Sequence, residues 1–419
     1  MADPKGFTSL KAFVDSVQSA KHSTLAAEAH AKVAHEDAFA EMKAHILKLY
    51  DKTEAPHSFM DEGGGIFDCI PIEQQPALRG TSGSVPKAPD APHLEAAAAG
   101  APQDEKKDTL LESPLGADKK DKHGNVMHCP PGTIPMRRVT LEDLSRFGTL
   151  QDFFRKGPRG AGRPPRADEP LTVPATHRWA HAYQNVVNGG GHSFLNLWDP
   201  PIGANQIFSL SQHWYIGGSG ANLQTLECGW QVYPGFYGDK KAHLFTYWTA
   251  DDYNKTGCYN LTCKAFVQTS SSIAPGMGLS LVSVPGGAQY TMELTYWHTG
   301  GRWWLYYNGT AGTNAIGYYP DSIYAGGALT GNASEIDYGG ETVGTTSFPP
   351  MGSGVFANQG FTHAAYQRTI GYYKPAGGAL VNASLTPSQS WPNCYTAQVI
   401  LYAAPWYETL WFGGPGGNC

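Results

Sequence analysis

The sequence predicts a mainly β protein: an antiparallel, jelly-roll-like β-sandwich over residues 176–419, preceded by a mixed α/β body that begins with a helix. Three observations predict it. Composition breaks near residue 175, because every tryptophan and every tyrosine except Tyr50 lies after Thr176, in a segment with only 8 Lys/Arg and 11 Asp/Glu. Beyond that break, short runs alternate with period two between glycine-rich turns. No helical periodicity there exceeds two turns.

Residues 8–50 read as helix, since Phe39, Met42, Ile46 and Leu49 recur at three- and four-residue steps. Its histidines, His30, His35 and His45, belong to a solvated face; His35-Glu36 lacks the second histidine that a zinc-protease helix requires. Residues 80–127 are rich in Ala, Pro, Gly, Lys and Asp, too poor in large apolar side chains to offset ordering entropy, and read as a flexible low-complexity insertion. Arg155, Lys156, Arg159, Arg163 and Arg166, interspersed with Pro158, Pro164 and Pro165, read as an exposed linker over 156–175. Strands are expected at Ile207–Ser211, Leu223–Val232, His243–Trp248, Gly278–Val284, Tyr290–Trp297, Trp303–Tyr307 and Gln398–Tyr402. A further acid-bearing strand covers Glu335–Val343.

The net charge of −6 argues against nucleic acid, whose binders carry a basic excess. No run approaches the length of a membrane helix. Among the seven cysteines, Cys258 pairs with Cys263 and Cys394 with the terminal Cys419, with Cys69–Cys129 as a third pairing; no zinc spacing occurs. With five Asn-x-Ser/Thr sequons at Asn254, Asn260, Asn308, Asn332 and Asn382, these cysteines point to an oxidising, extracytoplasmic site. No secretory leader is visible at the start, so a secreted protein whose leader is not in this chain is expected.

With so few acids in the second body, a carboxylate within a strand needs a reason. Leu226, Cys228, Trp230 and Val232 alternate with Thr225, Glu227, Gly229 and Gln231. The first set is core-like, making Cys228 a buried free thiol. The second sets Glu227 on an accessible face. In Glu335-Ile-Asp-Tyr-Gly-Gly-Glu341, the residues Glu335, Asp337 and Glu341 face outward unless the Gly-Gly pair bulges and re-aims Glu341. Two such acids meeting on one sheet make a general acid/base couple, whose close charges keep one member protonated. That arrangement serves peptide or glycoside hydrolysis alike. A Gly-x-Ser-x-Gly elbow, a His-Glu-x-x-His pair and a phosphate loop are all missing, and no cofactor or metal is expected.

Glu227-Cys-Gly-Trp-Gln-Val232, Phe245-Thr-Tyr-Trp-Thr-Ala-Asp251, Thr256-Gly-Cys-Tyr-Asn260, Gly339-Gly-Glu341, Met351-Gly-Ser-Gly354 and Phe412-Gly-Gly-Pro-Gly416 follow one another in an order that resembles the neprosin family of glutamic peptidases. Phe67-Asp-Cys-Ile70 and Cys129-Pro-x-Gly132 resemble that family's activation peptide. The resemblance implies a secreted zymogen: residues 1–155 as pro-domain and intramolecular inhibitor, 176–419 as catalytic domain, and cleavage on the carboxyl side of proline in acid. It implies Glu227 and Glu341 as the catalytic pair. Gln212 is then a candidate to orient the oxyanion, and Trp214, Trp230, Tyr247 and Trp248 are candidates to hold the proline of a peptide or protein substrate. Self-cleavage after Pro158, Pro165, Pro170 or Pro174 is expected on acidification. The rivals are a glycoside hydrolase and a non-catalytic, lectin-like wall-binding module using Trp303 and Trp304.

Overall fold

The computed structural model describes residues 5–81, 84–94, 107–157 and 176–418. It is mostly β, with antiparallel sheets and few helices. A seven-stranded sheet runs in the order Cys258–Tyr259, Ala242–Thr249, Gln224–Val232, Gln206–Gly217, Ala333–Gly344, His177–Asn188, Thr386–Gln389. A ten-stranded sheet packs on it and includes Gly190–Asn196, Tyr290–Thr299, Arg302–Tyr307, Ala315–Pro320, Ala365–Tyr373 and Glu408–Gly413. Alternation sends Leu226, Cys228, Trp230, Ile336 and Tyr338 of the first sheet, and Trp303, Leu305 and Tyr307 of the second, into one shared core. The opposite face of the seven-stranded sheet is therefore left for chemistry. Among the described residues no helix is long and apolar enough to cross a membrane.

The N-terminal body has a three-stranded sheet, His57–Met60, Ile66–Pro71 and Thr133–Arg137, tied by the Cys69–Cys129 disulfide. Inside it Arg138 grips Asp68 with both charges buried, at 2.6 Å. The expected helix over 8–50 is broken into Leu10–Ser19, His22–Leu25 and Glu36–Leu49. Ala20 and His35 take extended backbone, and Glu36 and Asp37 open a fresh first turn, where acids favour an N-terminus. The last helix buries Phe39, Met42, Ile46 and Leu49 as the periodicity predicts. His45 is not solvated: its ring lies 5.0 Å from that of Phe154, and burial pushes its pKa down to about 4.

Two further expectations change. Gly278–Val284 forms no strand, only one bridge from Gly278 to His243, because Leu281 adopts a left-handed φ of 68°. The described parts of the 80–127 insertion are anchored to the ten-stranded sheet rather than loose. Thr109–Leu110 pairs in parallel with Tyr290 and Thr291, and Arg368 clamps Asp108 through two 2.8 Å bonds. Cys258–Cys263 is formed and Cys228 is a buried free thiol. Cys394 is oxidised, and its expected partner Cys419 lies outside the described residues. So do Pro158, Pro165, Pro170, Pro174, Arg159, Arg163 and Arg166. Asn260 is buried and donates to Tyr237 while accepting from Thr246, so it is closed to glycan attachment in this fold.

Candidate active site

The site is assembled across three neighbouring strands. The middle one, Gln206–Gly217, presents Leu210, Gln212 and Trp214 on the face away from the ten-stranded sheet, towards which Ser211, His213 and Tyr215 point. On one side Glu227 pairs with Trp214 and Gly229 with Gln212. On the other, Gly339 pairs with Gln212 and Glu341 with Leu210. Gln212 thus sits midway between the glutamates, flanked on both sides by glycine. No bulge intervenes between Glu335 and Glu341, so Glu335, Asp337 and Glu341 share the face of Glu227 by simple parity.

The two glutamates converge on one atom. The ammonium of Lys156 lies 2.5 Å from Oε2 of Glu227 and 2.8 Å from Oε2 of Glu341. Laid end to end, these contacts keep the two Oε2 atoms within roughly 5 Å of each other, with the ammonium between them. Each Oε1 is held from behind. Thr225 donates to Glu227 at 2.8 Å and Tyr253 at 2.6 Å, while Nδ1 of His177 bonds Glu341 at 2.6 Å. All three charged side chains are essentially inaccessible, at 2% for Lys156, 0% for Glu227 and 2% for Glu341. Burial opposes ionisation of Glu341, yet the Lys156 ammonium and the His177 bond outweigh it and hold the carboxyl below its ordinary value of 4.5.

Lys156 arrives from the N-terminal body. The helix Leu150–Phe154 is capped by the Thr149 hydroxyl and stacks Phe153 on Phe236, ring centroids 4.9 Å apart. Tyr247 donates to the Phe154 carbonyl at 3.2 Å, and two residues later the lysine passes over the Trp214 ring at 4.9 Å. Gly157 then turns away with φ +81°, a conformation that favours glycine.

Of the candidates for holding substrate, Trp214 and Tyr247 are at the site. Trp230 and Trp248 are not. Trp230 shares the parity of Cys228 and donates its indole N–H to the Asn196 carbonyl in the core, and Trp248 pairs with Leu226 and packs edge-on to Tyr324. The Gln212 amide is wholly buried, and neither its nitrogen nor its oxygen has a hydrogen-bond partner among the described residues. An unsatisfied amide beside the acid pair is costly unless something is to bind it.

Lys156, His177, Thr225 and Tyr253 were not picked out from sequence as parts of the site. Thr225 had a signal, since it shares the parity of Glu227 two residues away. Tyr253 had none: it reaches Glu227 only because Asp252 and Tyr253 both adopt left-handed backbone, with φ of 55° and 58°.

Two buried acids thus face one position, filled by the Lys156 ammonium. The Neprosin family model matches residues 205–415, just over half of the chain and the stretch that carries both glutamates. The chain belongs to the neprosin family of glutamic peptidases. It is also similar to a solved structure described as the crystal structure of scytalido-glutamic peptidase with a transition state analog inhibitor. The identity is 10%, over 56% of this chain and 97% of that one, with a TM-score of 0.33.

Proposed function

We propose that this peptidase is a latent, secreted endopeptidase that works in acid and cuts on the carboxyl side of proline, with Glu227 and Glu341 as its catalytic pair. The observation that carries the reading is the single buried ammonium held by both carboxylates: whatever vacates that position leaves room for a water between two acids. Close like charges resist joint ionisation, so in acid the pair holds one proton. The ionised carboxylate takes a proton from the water as its oxygen attacks the scissile carbonyl carbon. The protonated one gives its proton to the departing nitrogen as the C–N bond breaks. The unpartnered Gln212 amide N–H donates to the oxyanion in this reading, and Trp214 and Tyr247 supply aromatic surface for the proline ring.

Latency follows from the same contact. At neutral pH Lys156 fills the position of the attacking water and the N-terminal body acts as an intramolecular inhibitor. Protonation of the carboxylates removes the attraction, the body lifts, and the chain is cut within 158–175. Oxidised cysteines support an extracytoplasmic location. Carboxylate spacing alone would also suit a glycoside hydrolase; membership of a peptidase family favours the peptide bond. The test is a peptide-library digest by the chain at acidic and at neutral pH. Cleavage in acid with proline before the cut supports the proposal, and cleavage without that preference, or only at neutral pH, contradicts it.

A further inference from the structure

Far from the acid pair, on the outer face of the ten-stranded sheet, residues 84–94 lie on an aromatic groove. Their sequence, Ser-Val-Pro-Lys-Ala-Pro-Asp-Ala-Pro-His-Leu, places Pro86, Pro89 and Pro92 at every third position. Exposure follows the same period: Ser84, Lys87, Asp90 and His93 are exposed, while the residues between them are half-buried or, for Ala91, buried. No backbone hydrogen bond joins two residues of this stretch, which belongs to no helix or strand. A three-residue repeat without internal hydrogen bonds is the signature of a polyproline-II helix. Proline fixes its own φ near that conformation and drives the preceding residue toward it.

The groove matches the repeat. Tyr306 donates its hydroxyl to the Pro89 carbonyl at 2.8 Å, and Tyr373 donates to the Pro92 carbonyl at 2.9 Å, one polyproline-II turn further on. Trp304, Tyr318 and Trp297 complete an apolar cluster that takes in Ala91 and is flanked by Val85, Ala88 and Leu94. The Thr310 carbonyl accepts from Ala91 N–H at 2.8 Å. A cavity of about 690 Å³ continues the groove past Val85 and Pro86 toward Ser270 and Thr313. Aromatic walls with hydroxyl donors spaced to the carbonyls of a proline-rich segment are how such segments are recognised in general. Trp304, a candidate for stacking sugar in the lectin reading, is one of these walls, while Trp303 is core.

We propose that this groove is a binding site for proline-rich, polyproline-II segments. Residues 84–94 fill it in the latent chain, and proline-rich stretches of protein substrates take it once the N-terminal body leaves. The second half rests on the reading of the chain as a latent prolyl endopeptidase; the first does not. The site would hold a long proline-rich protein on the back of the enzyme and raise its local concentration at the acid pair.

The test needs no catalysis. The groove is vacated in the full chain in two ways, by Ala88→Asp with Ala91→Asp, and by replacing residues 84–94 with a Gly-Ser stretch of equal length. A fluorescein-labelled peptide of the 84–94 sequence is then titrated in and followed by anisotropy at neutral pH. Saturable binding is expected to the vacated chains and not to the unaltered one. Tyr306→Phe with Tyr373→Phe, which removes two hydrogen bonds and keeps the rings, should weaken it by about tenfold or more. Changing the three peptide prolines to alanine should weaken it as well. A folded, vacated chain that does not bind the peptide overturns the proposal, as does binding indifferent to the two hydroxyls. Should neither vacated form fold, amide exchange at Ala91 is read in the Tyr306→Phe, Tyr373→Phe chain: about tenfold faster exchange supports the site and unchanged exchange overturns it. Failure of the chain to cleave any peptide would leave these binding results standing.

Discussion

Replacing Lys156 with methionine keeps most of the side chain's length and removes its charge. The ammonium touches both Glu227 and Glu341, and all three groups are buried. Breaking a buried ion pair by removing one partner costs about 3–5 kcal/mol, because the remaining charge is left uncompensated. Part of that cost falls on Glu341, whose carboxyl the ammonium holds below its ordinary value, so removing the ammonium lets it rise. The sign follows from Glu341. Its folded-state value is depressed, so its stabilisation of the closed form is fully present above 4.5 and is lost as pH falls through the depressed value. Without the ammonium that loss moves to higher pH. Incubating the parent and Lys156→Met chains across a pH series, then resolving them by gel and assaying a quenched proline peptide, should show the variant shortening and becoming active at higher pH than the parent. A threshold that does not move would refute the claim that this lysine enforces latency.

Other outcomes follow from the same geometry. Gln212→Ala should lower kcat by about 10²–10³-fold with little change in KM, as expected for loss of an oxyanion donor, and steady-state kinetics of the acid-treated enzyme will show it. Burial raises the Asp337 carboxyl to about 6 although His181 bonds it at 2.8 Å. Its stabilisation is therefore fully present below 3.8 and lost as pH rises through 6, and Asp337→Asn should flatten the thermal-unfolding curve across that window. Removing the Cys69–Cys129 bridge, which spans 60 residues, frees a loop worth up to about 4 kcal/mol of unfolded-state entropy. The double Cys→Ala chain should unfold its N-terminal body at markedly lower denaturant, followed by limited proteolysis.

Strand parity made half of the site legible. The alternation from Thr225 to Val232 assigns Glu227 and Cys228 to opposite faces, as the structure has them. Parity alone left Glu335, Asp337 and Glu341 equivalent. What separates them is Lys156, which reaches Glu341 while His181 holds Asp337, and that contact depends on the docking of a distant segment and not on local spacing. Lys156 was hidden for a related reason: a cation in a basic run is ordinarily solvated, and only the docking of Phe153 on Phe236 carries this one inward. The 84–94 stretch is poor in large apolar side chains, so its own composition suggested mobility. Its order comes from tyrosines and tryptophans more than 200 residues away. The broken helix shows the converse limit: the periodic signal at Phe39–Leu49 is strong, and residues 20–35 carry none.

The most direct measurement is cleavage of a quenched proline-containing peptide in acid by chains carrying Glu227→Gln and Glu341→Gln, each with its unfolding transition recorded. Both should retain a cooperative transition and lose activity by at least about 10³-fold, because neither amide can take or give the proton that hydrolysis requires. Turnover near the parent rate in either folded variant would contradict the account.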